Sequence, residues 1–404
     1  MSASATIPRK APDLGSASGN LSLWVARNVA EVEALREMWE SWEEHPNSVI
    51  DNYLAYFQVD PASRPHVMVV FRGGHPECLL IGKRLPRAAT SVLTKLLPPA
   101  DLLYFIEGGL LGNASIENCE LLVRAILAQL SRGEADVAEF FLRVDSPLYR
   151  ASIQLPNFFC RDHFPNRVVH RYLALPESFQ DFLAGLPAKE RRNLRYRENR
   201  LMKKFPEKVW LRRFRGPEDV ECLIEDAEEV AKKAYQRAVG RGFTLADGPG
   251  LRAEARKGSL RGYVLYMEAT PCAYLISSWR KGVLYGTFVG HDPKYAEHSP
   301  GRYLLMRCIE DCFLPSGGKT VVLDPGAGDQ PYKRLFTNRA WQCAYLRIHP
   351  PTFQGLVRNL ATTTLAFAAH CGRGLVATAN LFPLMQKIHR NKAMHKGDRE
   401  ETVS

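Results

Sequence analysis

The stretch GHDPKYAEHSPGRYLLMRCIEDCF, Gly290 to Phe313, passes from an apolar run into a loop of Gly, Pro and His and then into a helical pattern. A loop in this position presents backbone N–H groups that have no intrahelical acceptor, and the helix dipole favours negative charge there. The position therefore suits a phosphate-bearing ligand. Ser299 as N-cap and Pro300 in the first turn would also make an ordinary helix start that needs no ligand. The sequence leaves both interpretations open.

The segments on either side of this stretch predict a sheet. Upstream, residues 262–292 form three apolar runs separated by turn residues at Thr270-Pro271 and Lys281-Gly282, a pattern typical of an antiparallel meander. Downstream, KTVVLDPG predicts a strand and DQPYKRLFT predicts a helix. Meander, loop, helix, strand and helix in this order indicate a mixed sheet flanked by helices.

The first half of the chain follows the same order in outline. Residues 64–84 predict two strands joined at Gly73-Gly74, a helix follows near 118–132, and EFFLRVDSP predicts a further strand. We therefore expect an α/β (α+β) chain that contains two copies of one fold. The predicted domains are a disordered leader over 1–20, an N-terminal domain over 21–175, a C-terminal domain with the active site over 176–350, and a helical basic tail over 351–404.

Composition narrows the functional classes. The formal charge of +11 indicates an acidic partner, and the nine cysteines form no C-x-x-C pair or Cys/His cluster with metal spacing. We therefore expect a reducing cytoplasm, no disulfide framework and no metal. The start of the chain lacks the apolar core of a signal peptide, which agrees with a cytoplasmic location. The sequence contains no P-loop, G-x-S-x-G or H-E-x-x-H motif, which argues against NTPase and hydrolase functions.

Positive charge is concentrated in one segment. Residues 187–215 hold twelve Lys or Arg and three Glu, a local net of +9. A solvated helix would explain this segment, as would contact with an acidic ligand or a membrane. Under the second interpretation, Arg192 and Arg195 are the candidate ligand contacts.

The tail has an apolar stretch over 360–369, shorter than the ~20 residues that a membrane span requires. Basic residues surround it, so the tail would either pack on the second domain or lie on an anionic membrane surface. We expect packing. Peripheral attachment to the inner membrane is the alternative.

The meander, SPGRYLLMRCIEDC and VVLDPGAGDQPYKRLF together resemble the acyltransferases of the GNAT superfamily. They are similar in particular to the two-copy BcsL/CelD-like group, which is linked to bacterial polysaccharide (cellulose) biosynthesis. The segment FLAGLPAKERRNLRYRENRL resembles that group's basic helix between the copies. The resemblance implies two tandem GNAT-like domains, each a bent mixed sheet whose fourth and fifth strands splay apart to admit acyl-coenzyme A.

The resemblance also assigns the residues that bind the cofactor. The family's loop before the helix cradles pyrophosphate with its N–H groups, and the matching positions here are His298, Ser299, Gly301, Arg302 and Tyr303. Only the central glycine of the family pattern is kept. The neighbouring proline has no N–H to donate, so charge from Arg302 and His298 would have to contribute.

Chemistry is expected at the loop and helix that follow the last strand. By analogy with the superfamily, Tyr332 would protonate the leaving thiolate, Asp324 or Glu268 would act as base, and Lys333 would contact the oxyanion or a substrate phosphate. Fem-type aminoacyltransferases show a similar G-x-x-x-[FY]-K signature around this lysine. Asp324 would equally suit an ordinary turn, since Pro and Gly follow it.

Three further residues are candidates for binding the acceptor. Trp279 and Tyr285 alternate along predicted strands and would either wall a sugar site or pack in the core. His291 would either reach the acceptor or belong to a plain His-Asp-Pro turn.

The predicted function is transfer of an acyl group, expected to be acetyl, from acyl-coenzyme A to an amine or hydroxyl of a sugar or polysaccharide precursor. One alternative is a Fem-like transferase that uses aminoacyl-tRNA, whose phosphates the basic segment would bind. The other is a catalytically inactive binding or assembly factor for polysaccharide synthesis.

Overall fold

The computed structural model describes residues 21–88, 99–234, 237, 242–314 and 319–378, with side chains described up to residue 368. The predicted disordered leader, 1–20, and the end of the predicted tail lie outside the described residues. The chain divides into two compact units, the first of residues up to 169 together with 341–375, and the second of residues 170–340.

In chain order the strands are β1 (Leu21–Ala26), β2 (Arg64–Arg72), β3 (His75–Ala88), β4 (Ala100–Gly112), β5 (Val137–Arg143), β6 (Asn166–Ala174), β7 (Val209–Phe214), β8 (Leu260–Met267), β9 (Thr270–Arg280), β10 (Val283–His291), β11 (Val322–Asp324) and β12 (Arg339–Ile348). The helices are α1 (Val29–Glu33), α2 (Arg36–Trp42), α3 (Ile50–Val59), α4 (Ile116–Ser131), α5 (Pro147–Gln154), α6 (Phe179–Gly185), α7 (Ala188–Lys204), α8 (Val220–Lys233), α9 (Gly248–Arg256), α10 (Pro300–Asp311), α11 (Pro331–Phe336) and α12 (Phe353–Thr378).

Both units follow one strand plan. In the first, β1 to β4 form an antiparallel meander, β5 pairs parallel with β4, and β12 pairs antiparallel with β5. In the second, β7 to β10 form the meander, β11 pairs parallel with β10, and β6 pairs antiparallel with β11. The predicted α/β class and the duplication are both confirmed.

The last strand of each unit differs from the prediction. The predicted boundaries at 175 and 350 would put β6 in the first domain and β12 in the second. Instead β6 pairs with β11 of the second unit, and β12 pairs with β5 of the first. Hydrogen-bond partners across a sheet are not encoded in local periodicity, so the boundaries at 175 and 350 miss this exchange.

Each sheet buries an apolar core on both faces. Alternation along β8 places Tyr263, Leu265 and Met267 in one cluster, which includes side chains of α6, α7 and α10. Val264 and Tyr266 belong to the opposite cluster, with α8 and α9. Helix α10 is thereby fixed on the same face as the basic helix α7.

The tail was expected to pack on the second domain. Its described part is helix α12, and residues up to 375 belong to the first unit. Among the described residues, no helix combines the length and apolarity needed to cross a bilayer.

Candidate functional site

A gap opens in the sheet of the second unit between β10 and β11. The two strands pair in parallel only from Val283–Tyr285 to Val322–Asp324. Beyond this point β10 continues to His291 with a bulge after Gly286, whereas the other chain turns away at Pro325. Gly286, Thr287 and Val289 are therefore exposed, although β10 lies inside the sheet. An exposed stretch of an interior strand leaves backbone groups free to receive a ligand.

A buried polar cluster closes the end of β11. The Asp324 carboxylate accepts hydrogen bonds from His170 Nε2 at 2.7 Å and from the backbone N–H of Gly326 at 2.8 Å. His170 lies on β6 and is as deeply buried as Asp324. The pair ties β6 to β11 at the point where the gap begins, and the bond to Gly326 is the turn role that the sequence also allowed for Asp324.

Lys333 anchors the loop that leaves β11. Its ammonium is buried and donates to the carbonyl oxygens of Gly326 and Ala327 at 2.7 and 2.8 Å. Gly326 has a φ of +78°, a conformation that favours glycine. The geometry has Lys333 hold this loop, and its predicted contact with an oxyanion stays a prediction.

Tyr332 precedes this lysine on the short helix α11. Its ring is partly buried and packs against the apolar cluster beneath α10. Burial raises the pKa of its hydroxyl above the ordinary value of 10.0, so the group stays protonated through neutral pH. A protonated phenol suits the predicted role of acid for a leaving thiolate.

The start of α10 departs from a simple helix cap. Ser299 adopts a left-handed conformation with φ +55° and makes no side-chain cap hydrogen bond. Its hydroxyl instead accepts a hydrogen bond from Arg197 Nη1 of α7 at 2.5 Å. Pro300 occupies the first turn, as predicted. The predicted serine cap is wrong in its hydrogen bonding, because an arginine takes the hydroxyl.

A cavity of about 160 Å³ lies between α6, α7 and the first turns of α10. Its walls combine apolar side chains from the three helices with a ring of cationic and polar groups. The cationic side chains are those of Arg191, Arg195, Arg197, Arg302 and Arg307, and His298, Ser299 and Tyr303 also line it.

The positive charges in this cavity are only partly neutralised. Arg302 lies 3.9 Å from Glu190, Arg307 lies 2.8 Å from Glu310 and 3.4 Å from Glu198, and His298 Nε2 lies 3.1 Å from Glu297. Burial, and then the charge of Arg197, lower the pKa of the Arg302 guanidinium. His298 is buried, and its Nδ1 has no hydrogen-bond partner among the described residues. An anion in the cavity would offset the crowding of positive charge.

The structure brings most of the predicted cofactor residues together. His298, Ser299, Arg302 and Tyr303 line the cavity, as does Arg195. Gly301 stands beside them, and a Cβ at this glycine would lie 3.8 Å from Nδ1 of His291. Arg192 is exposed on α7 and does not line the cavity.

Other predicted residues are distributed differently. Tyr285 is the register partner of Asp324, so it stands at the mouth of the gap. Trp279 packs on the apolar cluster beneath α10, which agrees with the core interpretation. Glu268 is exposed at the tip of the β8–β9 hairpin, where it pairs with Lys208 at 3.4 Å.

The position of Glu268 follows from the turn. The hairpin turns at Glu268 and Ala269, with φ +53° and +69°, two residues before the predicted turn. Along β9, eight residues separate Thr270 from Ser278, the partner of Tyr285, which is about 26 Å of strand. Glu268 therefore does not meet Asp324, and the structure does not bring these two predicted bases together.

Sequence reasoning missed two groups of residues. His170 gives little signal, because its strand also contains Asn166, Arg167 and Arg171 and because its partner Asp324 is 154 positions away. Arg197 and Arg307 were visible only as part of a general excess of charge. Within the described parts of the chain, no group of three or more His, Cys, Asp or Glu side chains could hold a metal ion.

Comparison with known proteins identifies this part of the fold. Residues 188–334 match the Acetyltransferase (GNAT) domain family model. The match runs from α7 to α11 and includes the gap, Asp324 and most of the cavity lining, whereas His170 and helix α6 precede it. The second unit therefore has the fold of a GNAT domain, and membership of the BcsL/CelD-like group stays a prediction.

Solved structures extend the likeness over most of the chain. A conserved protein of unknown function from Bacteroides thetaiotaomicron aligns with a TM-score of 0.50 at 11% identity, over 81% of this chain and 100% of that one. FemX aligns with a TM-score of 0.51 at 8% identity, over 78% of this chain and 95% of its own. A tandem GNAT protein from the clavulanic acid biosynthesis pathway aligns with a TM-score of 0.46 at 13% identity, over 82% and 99%.

At 8% and 11% identity, the alignments with FemX and with the Bacteroides protein show a shared fold and nothing more. The repeated strand plan and the GNAT match of residues 188–334 agree with this, and the predicted fold class of tandem GNAT-like domains is confirmed. No curated protein matches the chain at a significant level.

Proposed function

We propose that the second unit transfers an acyl group from acyl-coenzyme A to an amine or hydroxyl of a sugar or polysaccharide precursor. The observation that carries this proposal is the exposed stretch of β10 at the gap, which leads directly to the start of α10 and its arginine-lined cavity. The exposed stretch of β10 suits the extended, amide-containing arm of coenzyme A. The arginine-lined cavity at the start of α10 suits its phosphates.

The cavity supplies the phosphate contacts that the loop has lost. Pro300 has no N–H, and the Ser299 hydroxyl is engaged by Arg197, so backbone amides alone make a poor anion site. Guanidinium groups bind phosphate oxygens through paired, charge-assisted hydrogen bonds. In this proposal the guanidinium groups of Arg197 and Arg302 bind the phosphates in place of the backbone N–H groups before α10.

The chemistry lies at the end of β11. The acceptor's nitrogen or oxygen attacks the thioester carbonyl carbon, the new bond forms, and the carbon–sulfur bond breaks. Tyr332 gives its proton to the leaving thiolate, and the acceptor's proton passes to Asp324. His170 and Lys333 are positioning residues, because each acts by holding the strand end or its loop.

Calorimetric titration of the full chain with acetyl-coenzyme A tests the proposal. We expect binding by the wild type and about tenfold weaker binding by Arg197→Gln, because a charge-assisted hydrogen bond is lost. Arg192→Gln is the matched control: it removes the same charge from the same helix but lies outside the cavity. Equal affinities for the two variants would refute the assignment of the cavity.

The alternative donor is an aminoacyl-tRNA. It is favoured by the exposed arginines at 192, 195, 197 and 200 on α7 and by the fold shared with FemX. A matching titration with charged tRNA at rising salt separates the donors, since RNA affinity falls steeply with salt. Binding of tRNA without acetyl-coenzyme A would establish the alternative. Binding of neither would favour a catalytically inactive binding or assembly factor.

A further inference from the structure

Helix α12 of the first unit carries an apolar stripe on its outer face. Phe353, Leu356, Val357, Leu360 and Phe367 follow the i, i+3, i+4, i+7 spacing of one helix face, and each is between 38% and 80% exposed. A surface helix ordinarily turns such a stripe toward the core. Here it faces outward along about 21 Å of helix.

Close contacts on the inner face fix this orientation. A Cβ at Gly355 would lie 2.2 Å from the carbonyl oxygen of Pro350, so only glycine fits there. Asn359 is buried, and its amide donates to the carbonyl oxygens of Phe159 and Arg161 at 2.8 and 2.9 Å. Rotating the stripe inward would break both contacts, so its exposure is built into the packing.

A neighbouring loop extends the apolar surface. Phe158 and Phe159 are 61% and 57% exposed. The backbone carbonyl of Phe159 is one of the two that accept from Asn359. The ring of Phe164 lies 5.5 Å from that of Phe367 on the helix. We call the stripe and these three phenylalanines the α12 patch. An apolar surface of this kind on a folded protein marks an interaction site.

The one hydroxyl of the stripe is already hydrogen-bonded. Thr364 lies in the stripe, and its hydroxyl donates to the carbonyl oxygen of Leu360 at 2.8 Å. The stripe can therefore enter apolar surroundings without leaving this hydroxyl unpaired.

The charge around the patch points to the partner. Helix α12 contains Arg358 and Arg373 and no Asp or Glu. The guanidinium of Arg161 stands 5.3 Å from the ring centre of Phe158. A second copy of the chain would bring the same positive charge, which disfavours self-association. Anionic lipid headgroups above an apolar layer complement both the charge and the phenylalanines.

We propose that the α12 patch seats the first unit on the interface of an anionic lipid bilayer, with the phenylalanines among the upper acyl chains and the basic residues at the lipid phosphates. This inference is independent of the reaction proposed for the second unit. It develops, from the described part of α12, the membrane-surface alternative that the sequence left open for the tail.

Co-sedimentation of the full chain with lipid vesicles tests the inference. We expect binding to phosphatidylcholine vesicles that contain phosphatidylglycerol, little binding to phosphatidylcholine alone, and loss of binding at high salt. Phe159→Ser combined with Leu360→Ser should weaken binding to the anionic vesicles by about tenfold or more. Val59→Ser combined with Ile116→Ser, at two sites that are each 58% exposed outside the patch, should bind as the wild type does.

Each other outcome overturns the proposal. Equal binding by the two double variants would show that the patch does not contact lipid. A wild type that is dimeric by light scattering, and becomes monomeric in the patch variant, would make the patch an interface between copies. A lower melting temperature confined to the patch variant would show that the chain itself covers these residues. Absence of binding to either vesicle would also refute the proposal.

Discussion

The two units use one strand plan but end their parallel strand pairs differently. In the first, the last paired residues of β4 and β5 are Phe105 and Phe140, whose rings stack at 4.7 Å. Further along β4, Leu111 is buried in the core. In the second, the last pair is Tyr285 and Asp324, and β10 beyond it is exposed. Where the parallel pair ends, apolar side chains of the first unit pack together, whereas the corresponding stretch of β10 in the second unit is exposed.

The helix starts beside these strands show the same contrast. The N-cap Ser115 of α4 accepts from the backbone N–H of Asn118, whose amide in turn donates to Glu77. The corresponding turn of α10 is surrounded by Arg197, Arg302 and His298. One helix start is satisfied by its own side chains, whereas the other presents positive charge. We therefore propose that the first unit serves as a scaffold and that the second binds the anion.

Phe140→Ala makes the sharpest test of the scaffolding role. Removing a fully buried ring should cost about 3–5 kcal/mol of unfolding free energy, because the first core loses its stacked pair. Urea unfolding measures the loss. The protein that remains folded should bind acetyl-coenzyme A as the wild type does. Weakened binding by the folded variant would mean that the first unit contributes to the site.

Acid should act on the first unit through two buried histidines. Burial lowers the pKa of His66 to about 4 and that of His349 to about 3, from the ordinary 6.5. Below pH 6.5 these histidines bind protons in the unfolded chain but not in the folded chain. The free energy of unfolding therefore declines toward pH 4. Each histidine should account for about 2 kcal/mol between pH 7 and pH 5.

Urea unfolding at these two pH values measures the effect. His66→Gln and His349→Gln should each make unfolding less dependent on pH by about that amount. An unchanged pH dependence in both variants would show that other groups control acid unfolding.

Lys333→Met tests how the second unit holds its open end. The variant loses two hydrogen bonds from a buried ammonium, at about 1.5–3 kcal/mol for bonds that involve a charged group. We expect a lower urea midpoint together with reduced acyl transfer. Arg334→Met, at the exposed neighbour on α11, is the matched control and should change the midpoint little. Equal midpoints for the two variants would contradict the anchoring role.

Tyr332→Phe should leave stability unchanged and reduce acyl transfer by about tenfold or more, as expected for loss of a general acid. Release of the coenzyme A thiol measures the rate. Burial raises the pKa of the Tyr332 hydroxyl above 10.0. The wild-type rate should therefore not decline between neutral pH and pH 10 because of deprotonation of this hydroxyl. A variant with the wild-type rate would remove the tyrosine from the mechanism.

Sequence patterns predicted what is local in this fold. The meander, the start of α10 at Pro300 and the short helix α11 all follow from runs and turn residues within a few positions. Asp324 and Lys333 both bond to Gly326 in the short loop between them, so their link is local in sequence. The predicted gathering of Tyr332 with these two side chains stays a prediction.

What escaped prediction depends on distant neighbours. His170 reaches Asp324 only because β6 pairs with β11, an exchange that no periodicity encodes. The contact of Arg197 with Ser299 depends on how α7 packs over α10. The β8–β9 turn came two residues earlier than predicted, because Glu268 and Ala269 adopt positive φ although neither is glycine.

The central claim is that the gap of the second unit alone receives the acyl donor. Thr287→Trp places a large side chain on the exposed stretch of β10, and Glu107→Trp does so two residues beyond the last paired residue of β4. Calorimetric titration should show acetyl-coenzyme A affinity falling about a hundredfold for Thr287→Trp, because the gap is filled, and unchanged for Glu107→Trp. Wild-type affinity in Thr287→Trp, or a loss in Glu107→Trp, would contradict the claim.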